Sequence, residues 1–141
     1  MKILLAVDGS SYTERAVEFL IGHLAWFRDL PEIHVINVQP PIPSGQVQVF
    51  VGKDLIRQYH DEESELALAR AREMLQHAKI PHGVVKKVGH IGQTISEYAV
   101  HHGFSLIVMG SHGHSALANL ALGSVATRVI ATSKIPVLLA R

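Results

Sequence analysis

Five short apolar runs, rich in β-branched residues, recur along the chain with helix-length stretches between them. They are Ile3–Val7, Ile33–Val38, Gly83–Val88, Phe104–Met109 and Ile135–Ala140. A strand with one wet face alternates apolar and polar residues, whereas a strand buried on both faces reads as a continuous apolar run. The intervening stretches carry helical spacing. Ser11-x-x-Glu14 reads as a capping box ahead of Ala16, Phe19, Leu20, Leu24 and Phe27. A loop over 39–50, with Pro40, Pro41, Pro43 and Gly45, precedes a helix over 54–79. Leu68, Ala71, Leu75 and Ala78 mark that helix's apolar stripe, and Asp61, Glu62, Glu63 and Glu65 its solvated face. A helix over 92–102 stops at Gly103 in the C′ position, and another spans 123–133 through Val125, Val129 and Ile130. Strands alternating with crossovers of this length predict an α/β fold, one doubly wound parallel sheet with helices on both faces. The third run carries Lys86 and Lys87 and is expected nearer a sheet edge.

Composition supports a folded chain and removes several functions. With 141 residues, 48% hydrophobic and 18% charged, residues 1–141 read as one globular domain without internal repeats. The 13 Lys and Arg against 12 Asp and Glu leave a formal net charge of +1. That balance argues against broad nucleic-acid binding, which needs a basic stripe to release counterions. The absence of cysteine excludes disulfides, thiolate zinc sites, iron–sulfur clusters and Cys nucleophiles. Asp8 interrupts the apolar N-terminus before a signal-peptide core forms, and no apolar run is long enough to span a bilayer. The expectation is a cytoplasmic protein without membrane insertion.

In open parallel sheets, ligands bind beyond the carboxyl ends of the strands where the connections diverge. Two such ends carry special residues: Val7-Asp8-Gly9-Ser10 and Gly110-Ser111-His112-Gly113. The second begins a connection ending at Gly123-Ser124, where a helix starts. Glycines allow positive φ and close approach of backbone amides, and a helix N-terminus adds unpaired N–H groups and a positive dipole end. Together they predict a phosphate cradle without lysine. Neither Gly-x-x-x-x-Gly-Lys-Ser/Thr nor a Gly-x-Gly-x-x-Gly after a strand is present.

Gly110-x2-Gly113-x9-Gly123-Ser124 resembles the nucleotide-binding signature of the universal stress protein family, in its ATP-binding branch. The resemblance runs the length of the chain, from Asp8-Gly9-Ser10 to the closing Ile135-Pro136-Val137-Leu138-Leu139. It implies a sheet in the order 3-2-1-4-5 and an adenine nucleotide (ATP, ADP or AMP) lying across strands 1 and 4. Val7 and Asp8 would border the adenosine, and Val38 would pack and hydrogen-bond at the adenine edge. Met109 and Gly110 would floor the ribose and phosphates, while Gly113, His114, Gly123, Ser124 and Val125 would supply amides and a hydroxyl to the phosphates. His112 stands where the family often has Arg, and no Lys or Arg lies between Gly110 and Gly123. Phosphate charge then falls to backbone dipoles, the two histidines and a divalent cation, Mg2+ or Mn2+, held through the phosphates. The resemblance also implies a homodimer through 135–140 and an unnamed protein client in a stress response.

Plainer readings stand beside these. Asp8 could order its turn through an Asx bond, the glycines could be turn punctuation, and Ser124 reads as a helix N-cap. The ten histidines show no metal-ligand spacing and read as solvated surface residues. No catalytic residue is assigned, because no nucleophile has an oriented base in sequence and no Gly-x-Ser-x-Gly elbow occurs. A slow ATP hydrolase or phosphotransferase, and a dimeric interaction protein with structural nucleotide, remain the alternatives.

Overall fold

A computed structural model describes residues 1–43, 52–114 and 121–141. Gly45, part of the expected 39–50 loop, lies outside the described residues. The elements run β1 (Lys2–Ala6), α1 (Ser11–Gly22), β2 (Glu32–Gln39), α2 (Lys53–His77), β3 (His82–Val88), α3 (Ile91–His101), β4 (Leu106–Gly110), α4 (Ser124–Thr132) and β5 (Val137–Ala140). The five strands form one sheet in the order β3-β2-β1-β4-β5, and every adjacent pair is parallel. The expected architecture and strand order are both present, and β3 lies at an edge as its lysines indicated.

Period-two alternation splits β1 and β2 between two cores. Ile3, Leu5, Ile33 and Val35 face Ala16, Val17 and Leu20 of α1 and Leu68, Ala71 and Leu75 of α2. Leu4, Ala6, Ile36 and Val38 face Ile95 and Ala99 of α3 and Ala126 and Val129 of α4. Burying alternate residues on opposite faces is why these strands read as unbroken apolar runs. The connection from β1 goes through α1 to β2 on one side, while β4 pairs with β1 on the other. The strand order therefore reverses at β1, and the cleft opens above that point.

Several local expectations are corrected. The N-cap of α1 is Ser10, whose side chain accepts from the Thr13 amide at 3.4 Å, so the Ser11–Glu14 capping box does not form. Asp8 Oδ1 accepts from Ser10 N–H at 2.9 Å and turns the chain into the helix one residue early. Leu24 and Phe27 leave the helix for a 3-10 turn at Leu24–Trp26, yet both still pack on the first core. Gly123, not Ser124, is the N-cap of α4, which makes Ser124 its first helical residue. The acidic run on α2 is not simply a solvated face. Asp61 and Glu65 both pair with Lys86, at 2.7 Å for Asp61, and clip α2 to the edge strand β3. Gly103 does take the left-handed conformation, at φ +67°, just past α3.

Candidate functional site

The carboxyl ends of β1, β2 and β4 border a cleft of about 890 Å³. Val7, Asp8, Val38, Met109, Gly110, His112, Gly113, His114, Gly123, Ser124 and Val125 all line it. Residues picked from separate segments of the sequence thus converge on one concavity.

Asp8 reaches it from the turn after β1. Its Oδ1 accepts from Ser10 N–H and from Thr13 Oγ1, each at 2.9 Å, while its own N–H donates to Thr13 Oγ1 at 3.0 Å. The Asx turn therefore uses one carboxylate oxygen. The other lies against Gly113, because a Cβ placed there would stand 2.6 Å from Asp8 Oδ2. The turn-ordering reading and the ligand reading thus fall on different oxygens. Above Val7, Asn37 Nδ2 donates to the Val7 carbonyl at 2.8 Å and closes the end of β1. The Gln39 carbonyl accepts from Gly89 N–H on the β3 side, at 3.0 Å. In a parallel ladder successive residues turn their peptide groups to opposite sides, so those of Val38 point past the end of β1 into the cleft.

The three signature glycines are glycine for three different reasons, and none involves positive φ, which among the described glycines occurs at Gly9, Gly52 and Gly103. A Cβ on Gly110 would meet Tyr12 Cβ at 2.6 Å and the Tyr12 backbone at 2.9 Å, so the first turn of α1 excludes a side chain there. At Gly113 the close neighbour is the movable Asp8 carboxylate. Gly123 packs on the His112 backbone, 3.0 Å from where its Cβ would stand, and donates its N–H to the Ser111 carbonyl at 2.8 Å. That bond pinches the connection shut, so the Gly123 amide, expected to face phosphate, is already used. The free amides belong instead to the first turn of α4, at Ser124, Val125 and Ala126, all three on the cleft wall.

The two histidines act as ties. His114 Nε2–H donates to the Asp8 carbonyl at 2.7 Å and joins the connection after β4 to the end of β1. His112 Nδ1 lies 3.0 Å from Ser111 Oγ, and its ring sits 5.0 Å from that of Tyr12. Ser111 is 0% exposed, so this hydroxyl–imidazole contact braces the turn and does not offer a nucleophile to the cleft.

Sequence reading missed Thr13, Asn37, Glu63, Leu66 and Ala126, which line the same cleft. Glu63 was hidden in the acidic run of α2, and Leu66 is 71% exposed despite its apolar side chain. A contact between the glycine after Asp8 and α2, with Ala67 Cα 3.1 Å from a Cβ on Gly9, brings that helix over the cleft.

The model of the universal stress protein family matches residues 1–141. This chain belongs to the universal stress protein family. Universal stress protein Slr1230 of Synechocystis is 31% identical over 97% of this chain, which spans 41% of that longer protein. The structure of UspA from Lactobacillus plantarum superposes with a TM-score of 0.80 at 19% identity, covering 99% of this chain and 97% of that one. That of the universal stress protein from Archaeoglobus fulgidus in complex with dAMP does so with a TM-score of 0.69 at 21% identity, over 100% and 98%. At these identities the two structures bear on fold alone. Among the described residues no helix is long and apolar enough to cross a membrane.

Proposed function

We propose that this universal stress protein holds an adenine nucleotide in the β1–β4 cleft and works as a regulatory module of the cytoplasmic stress response, read by a protein client. The observation that carries the reading is the set of groups that line one cleft: the peptide edge of Val38 turned past the end of β1, the Asp8 carboxylate, and three helix-terminal amides at Ser124, Val125 and Ala126. Base, sugar hydroxyls and phosphate present complementary groups to these. The Archaeoglobus fulgidus structure, which shares the fold, is of a complex with dAMP, an adenine nucleotide. Where Mg2+ or Mn2+ enters, it arrives on the phosphates. No group of three His, Asp or Glu among the described residues could hold it without them, and Asp8 Oδ2 is the carboxylate oxygen turned toward the Gly113 wall.

A second copy would add to β5. The inner side of this edge strand is already paired, since the Pro136 and Ala140 carbonyls accept from the N–H groups of Ile107 and Ser111. That alternation leaves the peptide groups of Val137 and Leu139 directed outward. Pairing there about a two-fold axis would give a homodimer.

Calorimetry read alongside light scattering tests both parts. The Val38 N–H and C=O match the acceptor N1 and donor amine of adenine, whereas guanine reverses both roles. AMP is expected to bind at least about tenfold more tightly than GMP, to a particle of twice the 15.4 kDa chain mass. Equal affinity for the two nucleotides contradicts the site, and a monomer at tens of micromolar, an order-of-magnitude working concentration for weak association, contradicts the edge pairing.

A further inference from the structure

The cleft holds two carboxylates, Asp8 and Glu63, and none of its described lining residues is Lys or Arg. Glu63 is half-buried on the stretch of α2 that overhangs the site, while its neighbours are engaged elsewhere: Asp61 and Glu65 hold Lys86, and Glu62 accepts from Gln58 at 2.7 Å. Ala67, one helical turn along from Glu63, abuts Gly9, the residue after Asp8. One turn advances about 5.4 Å, so Glu63 stands over the same end of β1 as Asp8. Asp8 Oδ2 in turn lies close against Gly113 on the cleft lining. The segment from Gly110 to Gly123 has no Lys or Arg to offset either charge, and residues 44–51 carry no charged side chain. Anion binding at the start of α4 therefore rests on partial charges of the helix terminus, equivalent to roughly half an elementary charge.

That terminus can balance one phosphate far better than three. We propose that Glu63, together with Asp8, makes this cleft select by charge: it takes adenosine compounds with at most one phosphate and rejects metal-free triphosphate. The proposal rests on the adenine-nucleotide reading above and narrows its ligand class. Glu63 is the specificity-determining residue, acting through its field across the cleft. Charges closer than one Debye length, about 8–10 Å at ordinary ionic strength, are only partly screened, so a carboxylate lining the same cleft is felt by each added phosphate.

Adenosine, AMP and ATP are titrated calorimetrically at pH 8 with EDTA present, into the full chain and its Glu63→Gln and Glu62→Gln variants. Glu62 lies next to Glu63 on α2 but outside the cleft lining, so its variant controls for overall charge. Wild-type protein should bind AMP more tightly than metal-free ATP. Glu63→Gln should raise the affinity for ATP relative to adenosine about fivefold, the size expected for one carboxylate acting on several added charges through solvent. Glu62→Gln should leave that ratio within about twofold, because rim charges are screened. The proposal is overturned if metal-free ATP binds wild type as tightly as AMP does. It also fails if Glu63→Gln leaves the ratio unchanged, or if Glu62→Gln raises it equally. Adenosine binding with the wrong order of phosphates removes only the charge selection. Failure of adenosine, AMP and ATP alike removes the nucleotide reading and this proposal with it.

Discussion

One hydroxyl decides which oxygen of Asp8 meets the cleft. Thr13 is 2% exposed, and its Oγ1 accepts from the Asp8 N–H while donating to Asp8 Oδ1. Oδ1 is thereby committed and Oδ2 left toward Gly113. Thr13→Val keeps the shape but leaves the Asp8 amide without its acceptor in a largely water-free turn. Such a loss costs about 1–3 kcal/mol. A melting temperature lower by about 5 °C, with AMP affinity several-fold weaker by calorimetry, is the expected pair of results; Thr13→Ser should recover most of both. An unchanged affinity in Thr13→Val would show that the hydroxyl does not set the carboxylate. Thr13 was not legible in the sequence, since Ser11 read as the capping hydroxyl and only the folded turn shows which side chain each polar group reaches. The glycines were legible as a pattern but not in their causes. What a Cβ would strike at Gly110, the α1 backbone, belongs to an element nearly the whole chain away.

The elements were legible where burial is two-sided and blurred where chemistry acts on one surface. β1 and β2 announced themselves because both faces are filled, by α1 and α2 on one side and α3 and α4 on the other. Helix α2 was found, but its acidic run serves two separate surfaces that a single wet stripe does not describe. Asp61 and Glu65 turn to β3, and Glu63 to the cleft. The β3 clip has a predictable pH signature. Hydrogen bonds donated by the Lys86 ammonium, to Asp61 first and Glu65 next, raise its pKa above the ordinary value. A raised pKa means the folded protein holds the proton more tightly than the unfolded chain does. The clip's stabilisation is thus complete below the unfolded lysine value and is lost as pH climbs through the folded one. Melting curves of wild type and Lys86→Met should differ at pH 8 and converge above the ordinary lysine range. The pair is solvent-exposed, so the difference should be small. A gap that persists at high pH would assign the effect to the lysine's methylene packing instead.

At the scale of the molecule, the site exists because the strand order reverses at β1. α1 carries the chain to one side, β4 arrives on the other, and the two connections cannot cover the gap between them. The residues showed that Asp8 and the Gly110–Gly123 segment end strands, and the family resemblance implied the order that makes those strands neighbours. The overhang of α2 was not, because a helix's reach over a sheet depends on contacts such as Gly9 with Ala67. On the proposed reading, the Val38 edge, Asp8 and the start of α4 form a single ligand site. Backbone amide resonances of the 15N-labelled protein, followed by NMR during AMP titration, test it most directly. Shifts are expected to concentrate at Asp8, Val38, Gly113, Ser124, Val125 and Ala126 and to saturate together along one binding curve. Shifts centred instead on the groove of Ile21, Arg70 and Met74 between α1 and α2, or two groups of residues saturating at different AMP concentrations, would contradict it.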